Sequence, residues 1–131
     1  MRGRQGPVRE SRGMIQVKRI YDAPGEGDGF RVLVERLWPR GMRKDQAVID
    51  LCMRDAGASP ALRKWFGHDP AKWEEFQEKY FHELSGKPDV IHRLAELGRE
   101  HPVITFLFAA KDEEHNNAVA LKKYLHMRGV E

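Results

Sequence analysis

The eight residues Val103 to Ala110, VITFLFAA, carry no charge and show no helical period. Bounded by Pro102 and Lys111, such a run is the pattern of a strand covered on both faces, which belongs in a parallel sheet. A second run, Phe30 to Leu37 (FRVLVERL), has Val32, Leu33 and Val34 contiguous and stops at Trp38-Pro39-Arg40-Gly41. Pro39 has no amide to donate to a ladder and Gly41 favours a turn. Ile15, Val17 and Ile20 suggest a shorter strand that ends in the Gly- and Pro-rich loop Asp22 to Gly29. Ile49, Leu51 and Met53 alternate with Asp50, Cys52 and Arg54, the period of a half-buried strand.

The segments between these runs read as helices. Ser59-Pro60 is a start signal for a helix that Gly67 ends, and Asp69-Pro70 repeats the signal. Trp73, Phe76, Tyr80 and Leu84 then recur at helical spacing, opposite Glu74, Glu75, Glu78 and Lys79. Ser85-Gly86-Lys87-Pro88 breaks that helix, and Asp89 is read as the cap of another that buries Val90, Leu94 and Leu97. A last helix is expected from about Asp112 to the Leu125 region, with Ala118, Leu121 and Leu125 inward. Buried strands alternating with helices predict an α/β layered fold whose sheet is at least partly parallel.

Composition narrows the function classes. A chain of 131 residues, 40% hydrophobic and 33% charged, is long enough for one domain with its own core and too apolar to be disordered. The net charge of +3 lies entirely in residues 1–13, where Arg2, Arg4, Arg9 and Arg12 oppose Glu10. That segment is read as a disordered, dispensable basic tail ahead of a single α/β domain over 14–131. A nucleic-acid-binding or regulatory module using the tail with Arg40, Arg43 and Lys44 is the alternative. Cys52 has no partner for a disulfide, which suits a reducing cytoplasm, and no apolar run approaches the roughly 20 residues of a membrane span. No metal site is expected, because no two of the six histidines have HxH or HxxxH spacing. Dinucleotide, P-loop and hydrolase-elbow motifs are lacking, so no cofactor is assigned, and the oligomeric state stays open.

In open α/β sheets, ligands bind beyond the carboxyl ends of the strands. Two polar loops are expected there. In Glu35 to Gly41, Arg36 and Arg40 are read as fork-like donors to a carboxylate or phosphate, with Trp38 covering an apolar part of the ligand. In Lys111 to Asn117, Lys111 adds charge, Asn116 adds a polar contact, and Asp112 and His115 are acid/base candidates, as is His68 between the middle helices. Each has a plainer reading. Glu35 and Arg36 can be a structural ion pair, Trp38 core filler, Asp112 a helix cap, and His68, His115 and Asn116 partners for loop amides. Cys52 lacks a neighbouring His, which argues against a nucleophile. If the strands at 30–37 and 103–110 are parallel neighbours, the two loops should converge on one cleft for a small anionic ligand.

ERLWPRG at 35–41, LRKWFGHDPAKWEEF at 62–76 and AAKDEEHNNA at 109–118, in this order and at these intervals, resemble the YeaO-like branch of the family called domain of unknown function 488. The resemblance runs from about Met14 to Leu125. It implies a small, Rossmann-like, three-layer α/β cytoplasmic domain of bacteria and carries no activity. By the same resemblance, Arg36, Trp38, Arg40, His68, Lys111, Asp112, His115 and Asn116 fall on characteristic positions. Glu35 departs from the Asp usual in the family, Cys52 from an aromatic, and Pro60 comes two positions late.

Overall fold

The computed structural model describes residues 14–130. The arginine-rich segment 1–13, read above as a tail, lies outside the described residues. Four strands, β1 (Met14–Arg19), β2 (Phe30–Leu33), β3 (Leu51–Cys52) and β4 (Val103–Phe108), form one sheet in the order β1-β4-β2-β3, with every pairing parallel. Val32 pairs with Phe106, and Val17 pairs with the same residue from the other side. The two apolar runs are therefore neighbours, and their carboxyl ends emerge at one edge.

Among the described residues there are five α-helices: α1 (Lys44–Ala47), α2 (Pro60–Phe66), α3 (Trp73–Ser85), α4 (Pro88–Glu100) and α5 (Asn117–Met127). Ser59 accepts the Leu62 amide at the start of α2, and Gly67 closes it at φ +55°, a left-handed conformation that costs glycine little. Asp69 caps a single 3-10 turn, Pro70–Lys72, that leads into α3. The predicted stripe of α3 is inward: Phe76, Tyr80 and Leu84 are buried against Val32, Val34, Ile104, Phe106 and Phe108 of the sheet region, together with Leu94, Leu97, Leu121 and Leu125 of α4 and α5. Each such side chain contributes roughly 1.5–3 kcal/mol by leaving water. Tyr80, wholly inside, donates its hydroxyl to the Ala56 carbonyl at 2.5 Å.

The opposite face of the sheet is covered by a thinner layer of loops and α1. Ile20, Leu33 and Leu107 pack there with Met42, Ile49 and Ala109. The same face also carries a polar row, Gln16, Thr105 and Arg31, in register across three strands. Arg31 is only 3% exposed. It ion-pairs with Asp28 and donates to the carbonyls of Ala47 and Val48, while Lys18 pairs with Asp28 at 3.1 Å. Gly29 lies at the entrance to β2 with φ +63°, where a Cβ would fall 2.2 Å from the Val103 carbonyl oxygen, so only glycine fits.

Several expected boundaries are corrected. β2 ends at Leu33 and β4 at Phe108, leaving Glu35 to Leu37 and Ala109 to Ala110 in loops. Asp89 lies inside α4, with Lys87 at its cap position and Pro88 in the first turn. Helix α5 starts at Asn117 and not near Asp112, because Asp112 accepts the amides of Glu114 and His115 and holds the chain in a turn. Asn116 is the cap, its Oδ1 accepting the Val119 amide at 3.0 Å. Among the described residues, no helix is long and apolar enough to cross a membrane.

Candidate functional site

At the carboxyl edge of the sheet the loops enclose a cavity of about 510 Å³. The loop after β2 supplies Glu35, Trp38 and Arg40, the loop after β4 supplies Ala109, Ala110 and His115, and the α2 side supplies Arg63, Lys64 and Phe66, followed by His68. Local hydrogen bonds fix this frame. Trp38 donates its indole N–H to the Met42 carbonyl at 2.6 Å across a turn that places Gly41 at φ +76° and lifts Arg40 to the apex. Tyr21 clips the same turn by donating its hydroxyl to the Arg40 carbonyl at 2.7 Å. Arg19 holds the opposing loop through the carbonyls of Ala109 and Ala110.

Of the residues expected from sequence, Trp38, Arg40, His68, His115 and Asn116 line this one cavity. Arg36 does not. Its guanidinium turns away to donate to the Ala58 carbonyl at 3.1 Å and lies beside Lys87, whose ammonium is pushed down chiefly by burial and further by the Arg36 charge. Nor is Arg36 an ion-pair partner of Glu35, whose Oε2 instead accepts the Ala109 amide at 3.1 Å. Lys111 is exposed and outside the lining. Asp112 is also outside it, behind His115, with its Oδ2 2.8 Å from Nδ1 of that imidazole. Asp112 is held below the usual carboxylate range, first by the Glu114 amide and then by the His115 ring. An ionised Asp112 only accepts, so the proton sits on Nδ1 and the remaining ring nitrogen, Nε2, is free of that pairing. Trp73 meets the His115 ring edge-on, with centroids 5.3 Å apart. Asn116 is 3% exposed and uses both ends of its amide, the oxygen on Val119 and the nitrogen on the Asp112 carbonyl.

His68 has φ +59°, rare outside glycine, and follows Gly67, which is also left-handed. The two together swing the imidazole back over the end of α2, where it lines the cavity. Three charged lining residues, Arg63, Lys64 and Glu35, are not legible as site residues in the sequence. Arg63 and Lys64 look like the solvated side of a short helix, and Glu35 looked like a partner for Arg36. Burial pushes the Glu35 carboxyl up, against the pull of the Ala109 amide and of the Arg63 and His68 charges. Among the described residues, neither Arg40 nor Lys64 has a side-chain partner, and no group of three or more His, Cys, Asp or Glu is placed to hold a metal ion.

A family model described as the inactive DUF488-N3 subclade matches residues 14–129. The chain belongs to this family. It is 37% identical over 111 residues to the uncharacterized protein YeaO of Escherichia coli, covering 85% of this chain and 96% of that one. An uncharacterized protein of Mycobacterium bovis and one of Mycobacterium tuberculosis are each 34% identical over 121 residues, covering 92% of this chain and 99% of theirs. The YeaO-like assignment within DUF488 thus holds over nearly all of the described fold. No solved structure matches the chain. The three segments that carry the resemblance are, in this DUF488 protein, the segments that build the cavity wall.

Proposed function

We propose that the cavity binds a small anionic ligand bearing phosphate or carboxylate, and that it does so as a binding site without turnover. The carrying observation is a charge imbalance: Arg40, Arg63 and Lys64 line one cavity in which, among the described residues, Glu35 is the only acid. Arg40 and Lys64, which have no side-chain partner among the described residues, and Arg63, whose charge faces only the half-buried Glu35, favour an anion that supplies further hydrogen bonds at the carboxyl ends of the parallel strands. Arg40 and Arg63 hold the charged group, Trp38 covers the apolar part, and His68 and His115 add donors. Arg36 and Lys111 are left out of this role, and Asp112 serves by orienting His115. The description of the subclade as inactive weighs toward binding.

Thermal unfolding in increasing inorganic phosphate tests the reading. A ligand at 100 times its dissociation constant adds ~2.7 kcal/mol of stability. The wild type should gain melting temperature with phosphate, and the Arg40→Ala/Arg63→Ala variant should not. Equal responses would remove the anion site.

A further inference from the structure

The cavity also contains a group that an anion alone does not explain. Glu35 is half-buried among the cations, and its Oε2 takes the Ala109 amide while Oε1 has no hydrogen-bond partner among the described residues. A carboxylate in that position repels a bare phosphate, so an anion site would be better without it. It becomes useful when the ligand brings a donor of its own, because an acceptor left unmatched in a partly dry site disfavours whatever leaves it so. Size points the same way. A cavity of about 510 Å³ falls within the roughly 300–1,000 Å³ typical of organic-ligand sites and exceeds what a lone phosphate fills.

Resting on the anion-binding reading above, we propose that the ligand is a hydroxyl-bearing phosphomonoester, a sugar phosphate in form, and that Glu35 is the specificity residue that accepts its hydroxyl. Arg40 and Arg63 take the phosphoryl oxygens, Glu35 Oε1 takes the O–H, and Trp38 lies against the ring carbons. A ligand O–H gives the ionised form of Glu35 a further donor beside the Ala109 amide and the Arg63 and His68 charges, which already oppose the effect of burial.

Calorimetric titration of the full chain with inorganic phosphate and with ribose 5-phosphate, in wild type and in Glu35→Gln, decides it. A glutamine can still accept the Ala109 amide through its oxygen, but its NH2 only donates and does not accept the ligand hydroxyl. Wild type should bind ribose 5-phosphate about tenfold more tightly than phosphate. Glu35→Gln should lose that preference by binding phosphate more tightly and the sugar phosphate less tightly. A preference unchanged in Glu35→Gln, or a wild type that favours bare phosphate, overturns the role of Glu35 while leaving the anion site standing if Arg40→Ala/Arg63→Ala still abolishes binding. If neither compound binds wild type, both readings fall. The wild-type comparison of ribose 5-phosphate with methyl phosphate, which lacks the hydroxyls, needs no variant to fold and must show the same preference.

Discussion

Asp28 and Glu35 flank the same strand, one just before β2 and one just after it, and the protein treats them in opposite ways. Asp28 is 8% exposed and fully served: the Gly25 amide, Lys18 and Arg31 all donate to its carboxylate. Burial pushes Asp28 up, but these donors outweigh it and hold the group below the ordinary carboxylate range. Glu35 has one amide, no direct ion pair among the described residues, and is pushed up by burial. The difference separates a joint from a site. At Asp28 the loop before β2 is riveted to the sheet and to the carbonyls at Ala47 and Val48 through Arg31. At Glu35 the polar groups converge without satisfying one another, leaving capacity for a ligand.

Breaking the joint should have the largest effect. Asp28→Ala leaves the Arg31 guanidinium buried without its counter-charge, which typically costs about 3–5 kcal/mol. Denaturant unfolding should show that loss without a change in slope. Replacing both partners, as Asp28→Ala/Arg31→Met, should recover part of it, because the orphaned charge is then gone. If the double variant is as unstable as the sum of the single ones, the ion pair is not the source of the effect.

The contrast between the two acids also marks what could be read from residues alone. That the segments around β2 and β4 are buried strands of a partly parallel sheet followed from contiguous apolar runs, and the start of α2 from Ser59-Pro60, signals that act locally; Asp69-Pro70 marked only the 3-10 turn that precedes α3. Arg31 was hidden inside FRVLVERL, since its burial depends on Asp28 across a turn and on carbonyls at Ala47 and Val48, far along the chain. Where β2 stops decides which way Arg36 points, and the period of a strand says nothing about the bend that follows it. The order of α5 was likewise set by a competition between Asp112 and Asn116 as acceptors of backbone amides, which both residue types can win. Loops gathered at the carboxyl edge were foreseeable from topology. Their membership was legible only in part, because Arg63 and Lys64 arrive from a helix that looks like any solvated one.

A smaller effect sharpens the comparison through pH. For Asp28 the folded carboxyl titrates below its unfolded value near 3.8, so its contribution is present above that pH and is lost as pH falls through the folded value. For Glu35 the sign reverses. Below the ordinary value of 4.5 both states hold the proton and the residue contributes nothing. As pH rises past that value the unfolded chain releases its proton before the native state does, so stability falls until the folded carboxyl also ionises, and the deficit then stays constant. Glu35→Gln, which keeps an oxygen for the Ala109 amide, should therefore equal wild type near pH 4 and exceed it in stability at neutral pH. The Asp28→Ala deficit should run the other way, widest at neutral pH and narrowing toward acid. Parallel pH profiles for the two variants would mean that Glu35 is satisfied like Asp28. A more stable Glu35→Gln with an altered ligand preference is the outcome expected of an acid kept for what it binds, at the expense of stability.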